Sequence, residues 1–471
     1  MARISRRAMM IGGGVVGAGA LAAGGLAGRR LWLDREPPLP PLKDASGHLL
    51  WRNWAGNVQA YPAARAAPAD EGALAELMRT ARGPIRAVGS GHSFTELVPT
   101  DGTLVSLDAM TGLVDHDAEN HRATVRAGTR LRDLGAALAA IGQEMPNLPD
   151  INKQALGGAL ATGTHGTGKG LKALHGEMVA MRIALPSGEI VDCSATRNAD
   201  LWNAARVNLG AFGIVTQVTL QNRPLTRVAK HVTIRPLNDV LDDWPSLRAR
   251  HRNAEFLVLP FTDRAVVITH DVSQAPVRPR GPDRDAETLM GLKKLRDLFE
   301  FAPALRRSIA ARELDAIRVE ADVDEGWKLL SNERPIRFKE IEYHLPIDSQ
   351  IAALREVIAA VEAHRNDVFF PFEARIVAPD DAWLSPFYQR ESGSIAVHAY
   401  YKEDHDFFFA LVEPILRRHG GRPHWGKLNT LGPGDFAALY PRWRDAMAVR
   451  RAVDPQGRML NPYLKRIMAN G

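Results

Sequence analysis

Cysteine is nearly absent: Cys193 is the only one in 471 residues. This excludes an intrachain disulfide framework and any cysteine cluster for zinc or iron–sulfur. No apolar run beyond residue 30 approaches the ~20 residues needed to cross a bilayer. Neither sign of charge dominates, with 60 Lys and Arg against 54 Asp and Glu for a net charge of +6. Five of the arginines, Arg3, Arg6, Arg7, Arg29 and Arg30, fall within the first thirty residues, which contain no acid. Without them the net charge is 6 − 5 = +1. The basic isoelectric point therefore belongs to the leader, and no nucleic-acid partner is implied.

That leader contains Gly12, Gly14 and Gly17 in a G-x-G-x-x-G spacing, with Asp34 and Glu36 downstream. A dinucleotide site needs a buried strand before the glycines and a helix after them. Here only Met9, Met10 and Ile11 precede them, further glycines run on to Gly28, and "PPLPPLK" follows. Paired Arg6 and Arg7, a weakly apolar stretch and small residues at Ala20 to Ala23 instead match a twin-arginine signal or uncleaved anchor. The expected organisation is a leader over 1–30, a Pro-rich linker over 31–49, and a folded body beyond it. The expected location is the periplasm, with membrane anchoring if the leader is retained.

Residues 50–225 alternate strand-like runs ("PIRAVGS", "TLVSLDAM", "HRATVRAG", "GIVTQVTLQN") with amphipathic helical ones ("DEGALAELMRTAR", "TRLRDLGAALAAIG"), an α+β reading. Beyond residue 330 the order is β-α-β-β-α-β, the split βαβ or ferredoxin-like arrangement. The strands "EFLVLPF" and "RAVVITHDV" should extend its antiparallel sheet, residues 285–318 read as helix, 431–471 form a C-terminal segment, and its "DPQGRMLNPYL" is turn-rich.

Four motifs carry chemistry. "AVGSGHSF" (87–94) places Val88, Gly89, Ser90, Gly91, His92 and Ser93 after a strand. Glycines there let successive amides face an anion such as a pyrophosphate. "GGALATGTHGTG" (157–168) contributes Gly157, Gly158, Thr162, Gly163, Thr164, His165, Gly166 and Thr167, leaving room and donors for a flat ligand. Glu373 and Arg375, two apart on an expected strand, share a face, and Lys427 closes "HWGK". His165 has no second ligand at metal spacing, and no metal is expected. A buried histidine bonded to backbone is the reading there.

With "NLGAFGIVTQVTL" (208–220), which adds Gly213 and Ile214, these segments resemble the vanillyl-alcohol-oxidase type of PCMH-type FAD-binding enzymes, in their aldonolactone oxidoreductase and alditol oxidase branch. "FEARIVAPDDAWLSPFY", "SIAVHAYY", "HWGK" and "NPYL" carry the likeness through to about residue 467. The resemblance implies a two-subdomain FAD-binding domain over 50–225, a substrate or cap domain over 226–430, and a C-terminal segment returning to the flavin domain. It implies FAD held by the glycine loops and covalently by His92, with Lys427 near the flavin's pyrimidine end. Glu373, Arg375 and Lys427 would clamp a sugar lactone or polyol while hydride passes to N5, and electrons would leave to oxygen, a quinone or a cytochrome. A flavin enzyme for an unrelated alcohol, and a noncatalytic periplasmic sugar-binding protein, stay open as alternatives.

Overall fold

The computed structural model describes residues 35–281, 285–315 and 321–468; the leader lies outside them, as do residues 316–318 of the expected helical stretch. After a short antiparallel pair of Trp51–Arg52 with Gln59–Ala60, a small parallel sheet is built from β1 (Ala64–Ala66), β2 (Ile85–Val88) and β3 (Thr103–Ser106) in the order β1-β3-β2. Between β1 and β2, helix α1 (Glu71–Thr80) starts where Asp70 accepts the Ala73 amide and buries Leu74, Ala75 and Met78 on one face, the spacing of an amphipathic helix. A second, antiparallel sheet follows: β4 (Leu113–Asp117), β5 (Arg122–Arg126), β6 (Met178–Ala184), β7 (Ile190–Ser194) and β8 (Ile214–Gln221) in the order β7-β6-β8-β5-β4. Helices α2 (Leu131–Ala140) and α3 (Leu156–Ala161) lie between β5 and β6.

From residue 227 the chain forms one eight-stranded sheet. Its strands are β9 (Arg227–Pro236), β10 (Asn253–Leu259), β11 (Arg264–Val272), β12 (Asp322–Glu325), β13 (Phe338–Pro346), β14 (Phe372–Val377), β15 (Ser392–Tyr400) and β16 (Arg422–Pro423). Their spatial order is β12-β9-β11-β10-β14-β15-β13-β16, with every neighbour antiparallel. The second half is the expected ferredoxin-like unit, in the order fourth, first, third, second. The first half repeats that order, with α4 (Leu237–Arg250) as its crossover and α5 (Asp285–Phe299) and α6 (Pro303–Asp315) before its last strand. So "EFLVLPF" and "RAVVITHDV" extend the sheet as members of a second split βαβ unit, joined edge to edge through β10 and β14.

Period-two alternation decides what each face of this sheet does. Ile341, Tyr343, Leu345, Phe372, Ala374, Ile376, Ile395 and Val397 point one way, into a core shared with Ala353, Leu354, Val357 and Val361 of α7 (Gln350–His364). Their neighbours Glu340, Glu342, His344, Glu373, Arg375 and Ser394 point the other way, and all are buried. An apolar face covered by helices is ordinary; a charged face that is also buried needs partners.

The C-terminal residues pack away from this sheet. Phe436, Tyr440, Trp443, Met447 and Leu464 share a core with Val125, Leu131, Leu138 and Val218 of the flavin-side sheet and α2. Trp425 joins them, its ring 4.9 Å from both Phe436 and Tyr440, so the turn after it is carried on an aromatic stack.

Candidate active site

Between the charged sheet face and the glycine loops lies a cleft of about 1550 Å³, part of it open to solvent. Of the residues expected to hold the cofactor, Val88, Gly89, Ser90, Gly91, His92, Ser93, Gly157, Gly158, Thr162, Thr164, His165, Gly213, Ile214 and Lys427 line it. Gly163, Gly166 and Thr167 are not among its lining residues. Gly163 lies against Pro386, a side chain at Gly166 would meet the Leu148 carbonyl, and the Thr167 hydroxyl donates to the Ala254 carbonyl at 2.6 Å while accepting from the Ile376 amide.

The loop after β2 is shaped for an anion. Gly91 takes a positive φ of 67°, and the amides from Gly89 to Ser93 find no protein acceptor among the described residues. Five consecutive unmet donors in a cleft wall fit the pyrophosphate of FAD. Gly158 adds a second observation: a Cβ built there meets no protein atom within 4 Å, so the glycine leaves room in the cleft rather than in the fold. The residues present therefore fit the dinucleotide, with the 88–93 and 157–165 loops as its walls.

His92 stands at one end, its ring 5.1 Å from that of Trp54. Burial, then the neighbouring charges of Lys427, Lys153 and Arg130, push its imidazole down to about 4. The turn containing Lys427 is tied to the same loop, because the Phe94 amide donates to the Gly426 carbonyl at 2.7 Å and the Thr95 hydroxyl to that of Trp425 at 2.9 Å. The Lys427 ammonium lies 5.1 Å from the Phe94 ring centre and pairs with Glu340.

Across the cleft, Glu373 and Arg375 are 8% and 6% exposed, a buried pair rather than a solvated one. The Arg375 guanidinium reaches Glu373 at 3.2 Å and Glu342 at 2.7 Å. Burial raises the Glu373 carboxyl above its ordinary range. Glu342 is held well below its own by the nearby Arg375 and His165, which overcome the opposing effect of burial. His165 bonds backbone as expected, through Nδ1 and the Gly166 carbonyl at 2.8 Å, but its Nε2 also meets Glu342 at 3.1 Å. His165, Glu342 and His344 lie close enough for a metal ion. One Glu342 oxygen already receives Arg375 and the Ser394 hydroxyl, while its other oxygen and both ring nitrogens of His344 find no partner among the described residues.

Sequence reasoning missed Glu340, Glu342, His344 and His424. The signal was present in "FKEIEYHLP", where charged and apolar residues alternate as they do around Glu373 and Arg375.

Residues 218–467 match the family model for D-arabinono-1,4-lactone oxidase, and residues 62–194 match that for the FAD binding domain. The chain belongs to the D-arabinono-1,4-lactone oxidase family. It is 34% identical over 430 residues to an L-gulono-1,4-lactone dehydrogenase of Mycobacterium tuberculosis, covering 89% of this chain and 99% of that one. To an alditol oxidase of a Streptomyces species the identity is 28%, covering 88% and 98%. Among solved structures, a cholesterol oxidase from B. sterolicum superposes with a TM-score of 0.70 at 16% identity, covering 92% of this chain and 100% of that one. At that identity the likeness shows the shared fold alone. Membership in the family makes the chain an FAD-dependent oxidoreductase.

Proposed function

We propose that this chain oxidises a CH–OH carbon of a sugar-derived lactone or a polyol, with His92 covalently bonded to the flavin. One observation carries the substrate reading. The cap face opposite the glycine loops presents Glu373 and Arg375, and the turn after β16 adds Lys427, all lining the cleft. Glu373 and Arg375 are ion-paired with each other, Arg375 with Glu342 and Lys427 with Glu340, and a charged cleft wall of this kind suits a ligand bearing several hydroxyls better than an apolar alcohol. The names of the lactone and alditol relatives support the same class. A sugar-binding protein without chemistry would have no use for the amide-lined loop beside His92.

Bound FAD supplies the acceptor for the hydride that leaves the carbinol carbon. Arg375 and Lys427 orient the ligand's oxygens and hold positive charge towards the cleft, which favours negative charge developing on the ring. Glu373, its carboxyl raised above the ordinary range by burial, faces the cleft where it can take the hydroxyl proton. His92, held neutral, has the free nitrogen lone pair that a covalent tether requires.

The export reading supports a quinone or cytochrome over oxygen as acceptor, because both are at hand beside the respiratory membrane. Anaerobic mixing with an aldonolactone or alditol should bleach the flavin. Admitting air should then leave it reduced until an artificial acceptor is added. Reoxidation as fast as turnover, with stoichiometric hydrogen peroxide, reverses the acceptor assignment; no bleaching with either ligand class removes the substrate assignment.

A further inference from the structure

We infer that Glu342 is the positioning residue of this site: one carboxylate of the cap sheet fixes Arg375 against the cleft and ties it to the flavin-side loop through His165. The inference deepens the substrate reading above and rests on it for its kinetic arm.

The geometry is unusual for a structural strut. Glu342 lies on β13 and Arg375 on β14, with β15 between them, about two strand spacings or ~9.6 Å apart at the backbone. They meet because the β15 residues between them on that face are small: Ser394 stands opposite Arg375, and Ala396 opposite both Glu373 and Glu342. A single oxygen of Glu342 then accepts from Arg375 at 2.7 Å, from His165 at 3.1 Å and from Ser394 at 2.5 Å. Its other oxygen is buried without a partner. Packing alone would not gather a cation, an imidazole and a hydroxyl from three segments onto one atom. Charge-assisted bonds of this kind fix direction as well as distance. Glu373 also holds Arg375 but more loosely, at 3.2 Å, so without Glu342 the guanidinium can swing while its charge remains. His165 belongs to the loop that lines the cleft, so the same carboxylate sets the cap's clamp relative to the flavin's wall.

The test compares the holoenzyme with Glu342→Gln and Glu342→Asp. The Gln variant should keep its FAD, raise KM for lactone or polyol about tenfold and change kcat less, since orientation of the bound ligand is what is lost. It also removes one negative charge facing the cleft. The ratio of reduced to oxidised flavin at a fixed potential should therefore rise about tenfold, about 30 mV for two electrons. The Asp variant keeps the charge but withdraws the oxygen, so KM rises while the potential stays. In an Arg375→Lys background, Glu342→Gln should alter KM no further than about twofold, because residues acting as one unit are not additive. Additive KM effects, an unmoved potential in the Gln variant, or loss of FAD from both variants would overturn the inference. The potentials are measured with reference dyes, so they decide it even if no lactone or polyol proves to be a substrate.

Discussion

His92 is the residue on which the cofactor reading turns. Buried beside Lys427, Lys153 and Arg130, it titrates near 4 rather than at its ordinary 6.5. The linkage has a definite sign: between those values the unfolded chain binds the proton and the folded one does not, so stability is lost as pH falls from 6.5 through 4. In the FAD-free form, His92→Ala should flatten the decline between pH 6.5 and 4.5 seen by urea unfolding. An equal decline in both forms would show that the imidazole is not held neutral. In the loaded enzyme the same substitution should leave FAD bound but release its colour on acid precipitation, where wild type keeps it in the pellet. Colour released from wild type would remove the covalent tether and leave the fold untouched. Glu373 and Arg375 were legible because their two-residue spacing puts both on one face. Glu342 was not singled out, because its importance lies in reaching over β15, which its own strand does not reveal.

At the scale of elements, the glycines of the two cofactor loops do different work. A Cβ at Gly89 would lie 2.8 Å from that of Ala155, so Gly89 lets the β2 loop pack against the start of α3. Gly158 faces open cleft instead, and glycine within a helix costs about 0.5–1 kcal/mol against alanine. Gly158→Ala should therefore leave the thermal midpoint of the FAD-free protein unchanged or slightly higher, while weakening FAD binding about tenfold as the methyl enters the cofactor's space. A midpoint that falls, or FAD binding that holds, would mean the cleft wall is not a cofactor surface. The strands were readable from their alternation, down to the second ferredoxin-like unit's order. The first unit was only half visible, since α4, α5 and α6 separate strands whose pairing depends on contacts far along the chain.

Across the whole molecule, polar contacts sew the flavin side to the cap. Asp150, beside the cleft, accepts from Arg334 at 2.7 Å and from Asn332 at 2.7 Å, and Arg252 donates to the Pro146 carbonyl at 2.5 Å. The linker is tied down as well, with Glu36 bonded to Tyr401 and paired with Lys402 at 3.0 Å. The export proposal belongs to this scale, because a twin-arginine route carries folded, cofactor-loaded proteins. Replacing Arg6 and Arg7 with lysines should leave the yellow protein in the cytoplasmic fraction; normal amounts in the periplasm would remove that reading.

The sequence by itself determined which segments became strands, helices and glycine loops, and which charged residues shared a strand face, because those properties follow from local periodicity and backbone freedom. Only the tertiary structure decided that Thr167 bonds the cap sheet, and that Glu342 meets Arg375 across Ser394 and Ala396. Those outcomes depend on which strands become neighbours and on how small the residues between them are. Contacts of that kind join positions tens or hundreds of residues apart, where no local spacing records them.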